Sequence, residues 1–153
     1  MLGSSTSLRQ KVSPYFSGFL FAIGIWLFID AIAYSRHISS EFPEQPPIRF
    51  FFWIPLFLSL TAFFGLCLLD VSKLKGDSFG EGAKMTRYGL FLILLLAFSS
   101  LFVAVWILIE QYMPENNEKE IDSFPGLANV LHVFVVLLSS LVLAVGRTET
   151  DNW

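Results

Sequence analysis

Four apolar runs separated by short polar connections dominate the pattern of this chain: Phe16–Tyr34, Phe50–Leu69, Tyr88–Ile109 and Gly126–Val145. A helix rises about 1.5 Å per residue, so a hydrocarbon core of roughly 30 Å takes about 20 residues to cross, close to the length of each run. Tyr88–Ile109 holds no charge before Glu110, and Phe50–Leu69 none before Asp70. A soluble amphipathic helix of that length would show a charged face. Without water to satisfy the backbone, only helices or closed barrels span a bilayer, and runs this long without strict alternation predict helices. The expected fold is all-α: an integral membrane protein whose residues 1–153 form one compact bundle of four transmembrane helices.

Prolines punctuate the connections. Pro14 suits the entry to the first helix, where a missing N–H does no harm. Pro43, Pro46 and Pro47 oppose helix in the first connection, and Pro114 and Pro125 bracket the third. Pro55 lies inside the second run and is expected to bend it near its entry.

Four spans place both termini on one side. That side carries Arg9, Lys11, Lys73, Lys75, Lys84, Arg87 and Arg147, the other only Arg36, Arg49 and Lys119, so the positive-inside rule puts both termini in the cytoplasm. The third connection then forms an acidic lumenal loop. Trp53, Tyr88, Tyr112 and Phe124 sit near run ends, where amphipathic rings settle at headgroup level.

Composition sharpens this picture. A hydrophobic content of 54%, a mean hydropathy of +0.63 and seventeen Phe residues exclude an ordinary soluble domain. The net charge of −3 and the lack of a basic tract argue against nucleic acid as a partner; membrane lipids are the expected surroundings. Arg9 and Lys11 before the first run, with Ala31-Ile32-Ala33 after it, mimic a signal peptide. The run is longer than a usual signal core and Asp30 sits where cleavage sites are uncharged, so it reads as a true span. Cys67, the lone cysteine, reads as a space-filling residue. No motif calls for a cofactor.

Three features compete for a functional role. Asp30 lies roughly 6–9 Å from the lumenal end of the first helix, and His132 at about the same depth in the fourth. Asn129 is one turn from His132, and Glu110 closes the third helix on that side. Depth matching thus permits a polar cluster of Asp30, Asn129, His132 and Glu110, serving either as a proton relay or as interhelical hydrogen bonds that lock packing. The second reading is preferred, because the cytoplasmic halves of the helices offer no continuation of a relay.

The small-xxx-small pairs Gly18/Ala22, Thr61/Gly65, Ser100/Ala104 and Ser140/Ala144 form a second pattern, of the kind that lets helix backbones approach closely. Third, the connection holding Gly76, Asp77, Ser78, Phe79, Glu81 and Gly82 lacks the Lys-Ser/Thr ending of a nucleotide loop. It reads as a compact turn or a surface for a cytosolic partner, as does the tail Arg147-Thr148-Glu149. No paired metal-ligand spacing, nucleophile elbow or facing aspartate pair is present, so an enzyme is not expected.

Taken together, Ser17-Gly18-x-Leu20-x-Ala22-x-Gly24-x-Trp26-x-Phe28-x-Asp30-Ala31-x-x-Tyr34-Ser35-Arg36, Gly76-Asp77-Ser78-Phe79-x-Glu81-Gly82 and Gly146-Arg147-Thr148-Glu149 with Trp153 resemble one family of small four-span proteins. It comprises the transmembrane protein 50 group of animals and the fungal vacuolar protein sorting-associated protein 68. The resemblance implies transport from late endosome to vacuole, at an endosomal or vacuolar membrane, with endoplasmic reticulum or Golgi as alternatives. It also implies a hetero-complex with a four-span protein like vacuolar protein sorting-associated protein 55. It supplies no catalytic residues. Asp30 matches an acidic position of the family's first helix, whereas the Asp30–His132 pairing rests on depth alone. The expected function is non-enzymatic assembly in protein sorting; the alternative is a small transporter or ion-conducting oligomer using Asp30.

Overall fold

The computed structural model describes residues 3–41, 43, 45–69, 80–113 and 121–148, without the side chains of 3–7, 9, 10, 147 and 148. Four long helices account for nearly all of them: α1 (Gly3–Ile38), α2 (Ile54–Leu68), α3 (Glu81–Tyr112) and α4 (Phe124–Thr148). A 3-10 turn, Phe50–Trp53, leads into α2, and no strand occurs among the described residues. Four helical segments are long and apolar enough to cross a membrane: Lys11–Ile38, Phe50–Leu68, Glu81–Tyr112 and Phe124–Gly146.

α1, α3 and α4 extend beyond the predicted apolar runs, with polar residues at their ends continuing the backbone ladder, whereas α2 lies within its run. Ser39 and Ser40 donate their hydroxyls back to the carbonyls of Arg36 and His37, at 3.0 and 2.6 Å, satisfying acceptors that the end of α1 leaves open. The Gly80 carbonyl receives the N–H groups of Ala83 and Lys84 at the start of α3, where Glu81 also complements the helix dipole.

The two prolines change places relative to expectation. Pro14 lies inside α1, since that helix begins at Gly3, well before the apolar run. Pro55 is instead in the first turn of α2, where its missing N–H removes no helical bond. The 3-10 turn makes the entry, and the Ser100 hydroxyl donates to the Pro55 carbonyl at 3.1 Å, tying the start of α2 to the middle of α3.

α4 is the hub. It packs against each of the other three helices, most extensively against α1, while α2 pairs with α3. α1 and α4 run antiparallel: Ser13 meets Val142 near one end of the pair, and Tyr34 meets Asp122 at the other. The described ends of the chain therefore share one end of the bundle, called here the terminal end. Between α1 and the second span the contact is aromatic, with Phe21 stacked on Phe63 of α2 at 4.5 Å and Phe28 against Phe52 and Trp53 of the 3-10 turn. Outside, the bundle displays Phe, Leu and Trp side chains such as Phe19, Trp26, Phe91 and Phe102, a surface suited to hydrocarbon and not to water.

Candidate functional site

Helix phase decides which polar groups face inward. On α1 the buried positions Ser17, Gly24, Phe28, Ala31 and Ser35 follow three- and four-residue spacing and form the stripe turned to α4. At 100° per residue, Asp30 is 200° from Phe28, which turns it away from that stripe. Asp30 is accordingly exposed on the outside of the bundle. Glu110, in the last turns of α3, is exposed as well.

Asn129 and His132 point the other way. Both are fully buried, and none of their side-chain nitrogen and oxygen atoms has a hydrogen-bond partner among the described groups. The His132 ring packs against Phe28 with centroids 5.1 Å apart. The buried Tyr112 hydroxyl is also unpaired, its ring lying where a side chain at Gly126 would sit. The structure therefore brings Asn129 and His132 together on one buried face of α4, and leaves Asp30 and Glu110 outside it. A hydrogen-bonded relay through the four residues does not form. Among the described residues no group of His, Cys, Asp or Glu could hold a metal ion.

Two polar arrangements hold the α1–α4 pair together. At the terminal end, Ser17 donates to the Ser139 carbonyl at 2.9 Å and Ser139 donates to the Ser17 carbonyl at 2.8 Å, while Ser13 donates to the Val142 carbonyl at 2.7 Å. Such bonds between membrane helices contribute about 0.6–2 kcal/mol each. At the far end, Asp122 is the centre of a clasp. Its Oδ2 accepts from the Tyr34 hydroxyl at 2.7 Å, and its Oδ1 from the Phe124 N–H at 2.9 Å. The Gln45 amide pairs with both backbone groups of Asp122, at 3.0 Å each. Asp122 thus joins α1 and the start of α4 through its carboxylate and the first connection through its backbone.

Neither arrangement was predicted from sequence. For the clasp a signal existed: Asp122 two residues before Phe124-Pro125 is a turn that caps a helix start. The serines are ordinary residues in a membrane helix, and nothing in their spacing marks a partner.

The small-residue pairs divide. Ser100 and Ala104 are fully buried, and Gly65 lies against Ile93. Gly24 touches α4 so closely that an added methyl would meet Val136 Cγ2 at 2.7 Å. Gly18 and Ala22 are exposed instead, with nothing within 4 Å of a side chain built at Gly18. Of the proposed partner loop, Glu81 and Gly82 begin α3, exposed, whereas Gly76, Asp77, Ser78 and Phe79 lie outside the described residues. Arg147 and Thr148 close α4, and Glu149 lies outside the described residues.

A bundle of four bilayer-length helices, without a metal-ligand group among its described residues and with its polar contacts spent on helix pairing, defines a small multi-span membrane protein. Residues 3–153 match the family described as "Uncharacterised protein family (UPF0220)", and the chain belongs to it. It is 27% identical over 147 residues to the transmembrane protein 50 homolog of Dictyostelium discoideum, covering 94% of each chain. It is also 27% identical to vacuolar protein sorting-associated protein 68 of Saccharomyces cerevisiae, covering 94% of this chain and 85% of that one. A UPF0220 protein of Schizosaccharomyces pombe matches at the same identity over 148 residues. No solved structure matches the chain.

Proposed function

We propose that this protein acts in vacuolar or endosomal protein sorting without catalysing a reaction, by assembling with another small multi-span membrane protein. Its similarity to vacuolar protein sorting-associated protein 68 points toward vacuolar sorting. Assembly is the reading carried by one observation: Asp30, within an apolar span, is turned away from the bundle's own polar interior. A carboxylate facing lipid is costly, by about 2.5–3.5 kcal/mol at a helix centre and less toward the interface. A donor on a neighbouring helix removes that cost. Val12, Phe19, Ile23 and Trp26 are exposed on the same side of α1 as Asp30 and offer apolar area to such a neighbour. The proposed partner is a four-span protein like vacuolar protein sorting-associated protein 55.

Mild-detergent purification of the tagged chain at native expression, with sizing and mass spectrometry, tests this. Wild type should carry a near-stoichiometric second small membrane protein, and Asp30→Ala should lose most of it while remaining monodisperse. Recovery of this chain alone as a discrete homo-oligomer would overturn assembly. The outward Asp30 would then favour the alternative, a conducting oligomer, whose mark is proton or ion flux in liposomes that Asp30→Asn abolishes.

A further inference from the structure

An apolar groove of about 300 Å³ opens on the bundle surface where α2, α3 and α4 meet, in the half nearer the terminal end. Its walls include Leu66 of α2, Leu90, Leu94 and Leu101 of α3, and Leu137 and Leu141 of α4. From Leu90 to Leu101 it runs about 16 Å along α3, close to the roughly 15 Å thickness of one leaflet. That length suits a single acyl chain lying along one leaflet.

Charge names the headgroup. Arg87 precedes Leu90 by three residues and Leu94 by seven, which sets it above the groove on the same side of α3. Arg87 is exposed, as is Lys84 one turn earlier, and no described carboxylate pairs with either. Tyr88 beside them is also exposed, at the level where aromatic side chains meet headgroups. An arginine fork above an apolar slot of leaflet depth matches a phosphate or carboxylate carried above an acyl chain.

We propose that this groove is a binding site for an anionic phospholipid, with one acyl chain between α3 and α4 and the headgroup on Arg87, Lys84 contributing long-range charge. The proposal does not depend on the sorting function or on a protein partner.

The test uses the purified full chain given equal phosphatidylserine and phosphatidylcholine, with bound lipids counted by native mass spectrometry. One basic side chain at an anionic surface is worth about fivefold, so wild type should retain phosphatidylserine over phosphatidylcholine by about that ratio. Arg87→Gln should lower the ratio severalfold, Lys84 keeping a small remainder, and leave phosphatidylcholine retention unchanged, whereas Lys11→Gln should keep the wild-type preference. Arg87 is exposed, so its substitution leaves the packed core intact. Ala97→Phe, which fills the groove, should remove both adducts. A photoreactive residue at position 94 gives a readout in native membranes without disturbing the core, and should label lipid. A wild-type ratio near one, a ratio that Arg87→Gln leaves unchanged, or labelling of a second polypeptide at position 94 would overturn the proposal.

Discussion

Asn129 and His132 are fully buried with no side-chain hydrogen bond to any described group. A buried donor or acceptor left unpaired costs about 1–3 kcal/mol, whereas an apolar side chain of similar size in its place does not carry that cost. His132→Leu is therefore expected to raise the thermal unfolding midpoint in detergent, since Phe28 and its neighbours already form an apolar wall around the ring. A lower midpoint would mean that the ring nitrogens find partners in the membrane-embedded protein. Sequence placed these two residues on one helix face correctly, because spacing of three fixes that. It could not say that Asp30 fails to join them, because depth in the membrane was known and azimuth was not.

At the scale of the element, α1 and α4 close on each other through small residues and reciprocal serine bonds. Gly18 and Gly24 look alike in sequence, yet their surroundings are opposite. A methyl at Gly24 would press on Val136 Cγ2 and come within 3.3 Å of the His132 carbonyl, while one at Gly18 would meet nothing within 4 Å. Overpacking of this kind costs about 1–3 kcal/mol. Gly24→Ala should lower the unfolding midpoint clearly and Gly18→Ala should leave it nearly unchanged; equal shifts in the two variants would refute the packing described for this pair. The apolar runs made the existence of both helices legible. Which small residues face another helix was not, since each pair also suits a contact outside the bundle.

For the whole molecule, the terminal end brings the start of α1 beside the end of α4, with Ser13 against Val142 and against Gly146. The described ends of the chain therefore lie at the same end of the bundle. The count of seven basic residues against three predicts that this side faces the cytoplasm. Protease applied to sealed vesicles with the cytoplasmic face outward should remove both an N-terminal and a C-terminal tag. Protection of both would reverse the orientation, and protection of one would break the four-span topology. The clasp at Asp122 would then face the lumen, where it fixes the first connection against α4 through Gln45 and Tyr34.

The sequence by itself determined the class of fold and the number of spans. Apolar length against bilayer thickness leaves few alternatives, and backbone hydrogen bonding in lipid requires helices. It also determined, by spacing alone, that Asn129 and His132 share a face. Only the tertiary structure decided that α4 is the hub, that Gly24 and not Gly18 packs inside, that Asp122 joins three segments, and that Asp30 looks outward. α4 turns its polar residues inward, but along α1, α2 and α3 the lipid-facing and protein-facing sides are similarly apolar. The polarity contrast that reveals the inner face of a soluble helix is therefore missing there, and rotation about the helix axis is settled by contacts between residues far apart in the chain.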